Sequence, residues 1–374
     1  MNEIVVLYDG WELAYLPNQP AAIYLSLLWD YLPRQVRPAV ALPAHAFDLL
    51  PERVDQVMLE TPPTPRGRFH WEQRLLNQLA KKTAAQVIHL TSGGPTIFKN
   101  IQQVLSPAGY LFSAELGGGA PEIQPPATQR GLATRLREAL LPFNLERSRR
   151  LIWPADLPEP QIDAPFIKLP AILPSSTWQD SDVEVEHLDL PESFILYHGP
   201  TSDYELHRLL DAWSWAAPAV SQYYPLVLVG LNPGAQQRLA DLAGEYQLQD
   251  TLRGIPEIPV AALLEVYRRS KALFHPGLVS PWGDSLTLAL FFNKPIVALE
   301  NRWSDQRLGP AAYLIHQGDS LKTTSRLLGA ALVTVIVEDD VADRLAMQAG
   351  ARSNSWRASA EKLPELLISS YTER

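Results

Sequence analysis

The sequence contains no cysteine in its 374 residues. Disulfides, thiolate metal sites and cysteine nucleophiles are thereby excluded, and a reducing, cytoplasmic setting is expected. Positive charge is also scarce: 32 Lys and Arg stand against 41 Asp and Glu, a net charge of −9. A general nucleic-acid binder needs a basic surface to neutralise phosphates, so nucleic acid is not an expected partner. No run of ~18 uncharged apolar residues occurs, and no membrane span is expected. The chain begins MNEIVVLYDG, with neither a basic start nor an apolar core after it, so no signal peptide is read there. No metal site is read either. Asp180-Ser181-Asp182 spells a short acidic motif, but it lies among alternating acids in a proline-rich segment.

What is present points to a large α/β protein. Hydrophobic residues make up 46% of the chain and 33 prolines punctuate it. The length favours two domains of ~150–200 residues. Short continuous apolar runs read as buried strands: Ile4–Tyr8, Ala39–Leu42, Gln56–Leu59, Gln86–Leu90 and Tyr110–Ser113 in the first half. Helical patterns lie between them at Ala21–Tyr31, His70–Thr83 and Thr96–Leu105. The second half repeats the alternation from Phe194–Tyr197 onward. Strands are expected at Leu226–Gly230, Thr251–Gly254, Ala272–His275 and Ile296–Leu299. Late helices are expected near Leu321–Val335, Val341–Ala349 and Trp356–Tyr371. Apolar strands alternating with helices indicate parallel sheets covered on both faces. The expected fold is therefore α/β, two Rossmann-like domains facing a central cleft. The first domain spans 1–155, a linker 156–190, the second domain 191–355, and a closing helix from 356 to 374 crosses back to the first. Ligands in such sheets bind beyond the carboxyl ends of the strands. That directs attention to the loops after Tyr8, Leu90, Gly199, Gly254 and His275.

The second half resembles the C-terminal domain of the retaining GT-B glycosyltransferases of family 4, also called group 1. The residues that carry the resemblance are FILYHG (Phe194–Gly199), YPLVLVG (Tyr224–Gly230) and VYRRSKALFHPGL (Val266–Leu278). It continues through WGDSLTLALFFNKPIVA (Trp282–Ala298), GPAAYLIHQGDS (Gly309–Ser320) and Ser355-Trp356. The resemblance implies transfer of a sugar from a nucleotide-diphosphate donor to an acceptor with retention of configuration. It implies no cofactor beyond the nucleotide-diphosphate sugar as co-substrate. The donor-binding cleft it implies comprises Gly10, Gly93, Gly94, Gly199, Gly254, Ser280, Trp282, Gly283, Asp284 and Ser285. Thr91 and His89 are the candidate catalytic residues. His89 also reads as a core histidine on an apolar strand.

The sequence departs from the family at the donor site. Two glutamates with seven residues between them hold the donor in the family, and their positions fall here on Ser280 and Leu288. The family's Arg and Lys follow Gly199, where this chain reads Pro200-Thr201-Ser202-Asp203-Tyr204-Glu205. His207, Arg208, Arg253 and Arg302 are the remaining candidate cations. Asp284 or Ser285 reads as a helix N-cap, and a carboxylate at 284 opposes a diphosphate. Two readings stay open: a nucleotide-sugar glycosyltransferase acting on a glycan acceptor, or a non-catalytic homologue serving as partner of another glycosyltransferase or as a glycan-binding subunit. The arginines Arg130, Arg135, Arg137, Arg147, Arg149 and Arg150 read as a solvated helix face or as peripheral contact with anionic lipid.

Overall fold

A computed structural model describes residues 3–46, 50–91, 101–109, 145, 148–160, 163–175, 178, 185, 188–277 and 285–372. The first sheet contains β1 (Ile4–Asp9), β2 (Val36–Leu42), β3 (Asp55–Met58), β4 (Val87–Leu90), β5 (Gln102–Leu105), β6 (Arg150–Pro154) and β7 (Phe166–Leu169). Their order is β3-β2-β1-β4-β5-β6-β7, and every pairing is parallel. The helices of this half are α1 (Trp11–Tyr15), α2 (Pro20–Leu28), α3 (Pro65–His70) and α4 (Leu76–Lys82), with one π-helical turn at Trp71–Leu75. Pro20 starts α2, where its missing N–H costs no hydrogen bond. All nine residues of α2 are buried. Its sequence is apolar around most of its circumference, as a helix enclosed by protein requires.

The second sheet contains β8 (Ile195–Tyr197), β9 (Leu226–Leu231), β10 (Leu252–Pro256), β11 (Ala272–His275), β12 (Ile296–Leu299) and β13 (Tyr313–Ile315). It is also parallel throughout, in the order β10-β9-β8-β11-β12-β13. Its helices are α5 (Asp203–Val220), α6 (Pro233–Tyr246), α7 (Val260–Arg269), α8 (Ser285–Phe291), α9 (Arg302–Leu308), α10 (Leu321–Val337), α11 (Asp339–Ala360) and α12 (Leu363–Thr372). The two sheets give the expected pair of Rossmann-like units. Among the described residues, no helix is long and apolar enough to cross a membrane.

Several segments differ from their sequence reading. Gln102–Leu105, expected to be helical, is strand β5, with Val104 and Leu105 fully buried between β4 and β6. Periodicity over so short an apolar run does not separate helix from strand, and the neighbouring strands decide. Residues 96–100 and the strand expected at Tyr110–Ser113 lie outside the described residues. Phe166–Leu169, within the span expected to be a linker, pairs with β6 as the seventh strand of the first sheet. Val341–Ala349 and Trp356 belong to one long helix, α11, which ends at Ala360. Pro364 explains that end, because its ring conflicts with the carbonyl four residues earlier, that of Ala360.

The chain end is fastened to the first domain. The hydroxyl of Tyr371 in α12 lies 2.8 Å from His89 Nδ1 and 3.1 Å from the Tyr8 hydroxyl. His89 Nε2 meets Ser106 Oγ at 2.8 Å, and Ser106 Oγ meets the Tyr24 hydroxyl at 2.9 Å. Arg150 donates to the Ser369 carbonyl at the end of α12. A second tie joins Asp156, after β6, to Arg307 of α9 through two contacts of 2.9 and 3.2 Å. Beside it Trp153 meets the Trp303 ring edge-on at 5.9 Å.

Burial lowers His89 to a pKa of about 3, and burial lowers His198, just after β8, to about 4 despite the opposing Asn18 carbonyl. Both imidazoles are therefore neutral in the folded protein at pH 5, whereas an unfolded histidine takes up a proton near ~6.5. Stability is expected to be full above ~pH 6.5 and to fall as the pH drops towards 4. Each histidine contributes a slope of up to ~1.4 kcal/mol per pH unit. Urea titrations between pH 7 and 5 measure that slope, and a profile without loss contradicts the burial of both rings. Tyr371→Phe, which removes a buried hydroxyl with two partners, is expected to cost ~1–3 kcal/mol in the same titration.

Candidate functional site

The carboxyl ends of the two sheets face one another, and each end carries its own charged cluster. On the first side, β1 ends at Asp9. Its Oδ1 accepts from the Trp11 backbone N–H at 3.2 Å and from Trp71 Nε1 at 2.8 Å. Arg68 of α3 reaches three carboxylates: Glu12 at 3.0 Å, Asp9 at 3.5 Å, and Glu72 one helical turn along. Its guanidinium lies over the Trp11 ring at 5.0 Å. Burial opposes the charge on Arg68, but Glu12, Asp9 and Glu72 more than offset it and raise its pKa above the usual range. Gly10 follows Asp9 and lies so close to β2 that an added Cβ would stand 2.7 Å from both the Ala41 carbonyl and Val40 Cγ2.

The second side is built differently. Tyr197 at the end of β8 stacks on His275 at the end of β11, with ring centroids 6.2 Å apart. Gly199 passes beside both, since a Cβ there would lie 2.9 Å from His275 Cε1 and 2.9 Å from the Tyr197 hydroxyl. Ser285, the first residue of α8, places Oγ 3.5 Å from His275 Nδ1. Beside Gly277 lie Glu205 and Arg208 of α5, with Glu205 Oε2 and Arg208 Nη2 3.6 Å apart. Gly277 leaves them space: an added Cβ would be 2.8 Å from Glu205 Oε2 and 3.7 Å from Arg208 Nη2. Both side chains are more than nine-tenths buried. Among the described residues, neither Glu205 oxygen and none of the three Arg208 nitrogens has a hydrogen-bond partner. Burial raises the Glu205 pKa, and the charge of Arg208 works the other way. A buried guanidinium without acceptors is unusual, because each unmade bond leaves a desolvated donor.

Asn18 spans the two sides. Its Nδ2 donates to the Ile258 carbonyl at 2.7 Å, and its Oδ1 accepts from the Ile258 N–H at 2.8 Å. His198 Nε2 donates to the Asn18 carbonyl at 2.7 Å. That fixes the tautomer, so His198 Nδ1 accepts from the Tyr267 hydroxyl at 2.7 Å. Ile258 follows β10 and His198 follows β8.

No protein-family model matches the sequence, and no curated protein matches it. Solved structures do match along the whole chain. Sucrose-phosphate synthase from Thermosynechococcus elongatus superposes with a TM-score of 0.69 at 14% identity, covering 100% of both chains. WaaG, a glycosyltransferase involved in lipopolysaccharide biosynthesis, gives 0.67 at 15% identity, covering 99% of this chain and 100% of its own. Anabaena HepE, solved in complex with UDP and glucose, gives 0.63 at 12% identity and 99% of both chains. The chain has the GT-B glycosyltransferase fold. At these identities the likeness concerns the fold; the chemistry has to be read from the side chains.

Within the GT-B frame the sequence-derived site residues separate. Gly10, Gly199 and Ser285 lie at the facing sheet ends. Gly254 does not: it is inside β10, which continues through a register shift to Pro256, so the loop begins later, at Glu257. Gly93, Gly94, Ser280, Trp282, Gly283 and Asp284 lie outside the described residues, as do Asp180 and Asp182. Thr91 follows β4 fully buried, and its hydroxyl has no partner among the described residues. His89 is also fully buried, with both ring nitrogens engaged in the core network described above. Leu288 packs inside α8 with no exposure.

Of the candidate cations with described side chains, Arg208 lies beside Gly277, and it lines a 460 Å³ pocket together with His207. His207 is exposed on the outer face of α5, its ring 6.2 Å from Tyr246. Arg253 lines a 580 Å³ groove with Ser193 and Pro225, at the amino ends of β8 and β9 and so away from the cleft. The Arg302 side chain lies outside the described residues. So do Arg130, Arg135, Arg137 and Arg147 of the basic segment. Arg150, expected on a helix, opens strand β6, and both it and Arg149 reach α12 carbonyls. Sequence reasoning missed Asn18, His198, Gly230 and Ile258. Asn18 sits just before the Pro20 helix start, which reads as ordinary loop chemistry, and nothing local reveals its partner.

Arg68→Leu is expected to destabilise the protein by ~3–5 kcal/mol, because it strands three buried carboxylates around an apolar side chain. Paired urea titrations of variant and parent at pH 7 test this, and a variant with unchanged stability contradicts the cluster.

Proposed function

We propose that this chain is a retaining, GT-B glycosyltransferase-like protein that binds a nucleotide-diphosphate sugar between its two sheet ends. The observation that carries the proposal is Arg208. Its guanidinium is buried beside Gly277, at the carboxyl end of β11, with no hydrogen-bond acceptor among the described residues. A phosphate oxygen is the acceptor that completes such a group, and charge-assisted bonds of this kind are stronger than neutral ones. The same cation stabilises the charge that develops as a nucleotide diphosphate departs. Ser285 at the start of α8 adds a hydroxyl on the same side. That HepE was solved with UDP and glucose supports uridine diphosphate as the first probe.

A second reading, a non-catalytic homologue that binds nucleotide sugar or glycan beside a partner glycosyltransferase, is favoured by two side chains. Leu288, at one of the two glutamate positions implied by the resemblance, is fully buried in α8 and offers no hydrogen-bonding atom to a sugar hydroxyl. Glu205 stands 3.6 Å from Arg208 and competes with an incoming anion. Slow or absent turnover of ordinary nucleotide sugars follows from these features.

Thermal shift against uridine, guanosine and adenosine diphosphates tests binding. At 100 times the dissociation constant a ligand stabilises by ~2.7 kcal/mol. Arg208→Met is expected to abolish the shift, and Arg208→Lys to keep part of it. A ligand that stabilises parent and Arg208→Met equally contradicts the role of Arg208. Turnover separates the two readings: about one donor per second, ordinary for enzymes, selects the active transferase, and binding without turnover selects the non-catalytic homologue.

A further inference from the structure

We propose that Asn18 is an intramolecular latch: it holds the two domains closed over the carboxyl ends of β8, β9 and β10, and must let go before a ligand enters there. The proposal rests on the reading of the cleft as the ligand site.

Asn18 lies in the short segment between α1 and α2 of the first domain and is 4% exposed. Every contact named here is with the second domain. The carboxamide pairs with both backbone groups of Ile258, donating at 2.7 Å and accepting at 2.8 Å. The backbone carbonyl takes the His198 Nε2–H at 2.7 Å. Gly230, near the end of β9, has φ +81, and a Cβ there would lie 2.8 Å from Asn18 Cβ. Any other residue at 230 would be strained and would also push Asn18 out. Three neighbouring strand ends thus converge on one residue of the opposite domain, Ile258 on its carboxamide, Gly230 beside its Cβ and His198 on its backbone carbonyl.

The geometry fits a latch better than a general domain contact. Only an amide offers a donor and an acceptor side by side to match the N–H and C=O of a single residue. The Ile258 pair and the His198 ring sit where ligands of open α/β sheets bind. The groups that keep the domains closed are therefore groups that face the cleft once it opens. A ligand admitted only to the open form binds with an apparent dissociation constant raised by the inverse of the open fraction. Weakening the latch tightens binding by that factor.

The absence of cysteine makes the test direct. Met58 and Tyr223, 46% and 70% exposed on different domains, are replaced by cysteine and spin-labelled in the full chain. Distances are measured in the parent, in Asn18→Ala and in Asn18→Asp, which keeps the shape but sets a carboxylate oxygen in place of the donor to the Ile258 carbonyl. Circular dichroism establishes that each variant is folded. A single narrow distance is expected for the parent and an added, longer population for both variants. Uridine diphosphate is expected to bind the variants about tenfold or more tightly, as follows if the parent is open in roughly a tenth of molecules or fewer. Unchanged distances in a folded variant overturn the latch. Opened domains with unchanged or weaker nucleotide affinity overturn its control of entry. If uridine diphosphate binds neither parent nor variants, the nucleotide-sugar reading fails, and the distances still decide whether Asn18 holds the domains together.

Discussion

Two parallel sheets form a shared cleft only while their carboxyl ends are held face to face, and here that constraint rests on a few buried polar ties. Asn18 joins the β1 side to the ends of β8, β9 and β10. Asp156 and Arg307 join the end of β6 to α9. Tyr371 brings the last helix back onto His89 and Tyr8. Apolar packing is non-directional and tolerates sliding. A buried hydrogen bond or ion pair tolerates very little, because a misplaced partner leaves a desolvated group unsatisfied. The apolar core supplies the driving force for association, and these ties fix its geometry.

The two sides of the cleft treat buried charge in opposite ways. Arg68 is ion-paired with three carboxylates, those of Glu12, Asp9 and Glu72, at the end of β1. Arg208 has one carboxylate in ion-pair range and no hydrogen bond among the described residues. A cation already paired with three carboxylates supports structure, whereas one beside a single carboxylate has charge left for a ligand. On the proposed reading, that contrast puts the donor site on the second domain, beside Gly277 and Ser285.

Much of the scaffold was legible in the chain. The runs at Ile4–Tyr8, Gln86–Leu90, Leu226–Gly230, Ala272–His275 and Ile296–Leu299 became β1, β4, β9, β11 and β12 because a strand buried on both faces has to be continuously apolar. Gln102–Leu105 is too short for periodicity to separate helix from strand. Phe166–Leu169 is only partly buried and acquires its identity from pairing with β6. The end of β10 lies two residues beyond Gly254, because the bulge that carries it to Pro256 depends on β9.

The site divided along the same line. Composition, strand alternation and motif order were local properties, and they determined two α/β units and the resemblance to GT-B enzymes without any knowledge of contacts. Tertiary structure alone decided that His89 belongs to a core network, that Arg208 lies beside Gly277 while Arg253 faces away, and that Asn18 closes on Ile258. The reason is distance along the chain. His89 and Tyr371 are 282 residues apart, and Asn18 and Ile258 are 240 apart. Periodicity and propensity act over a helical turn or a strand length, so a pairing across hundreds of residues leaves no local mark and exists only once both sheets have formed and met.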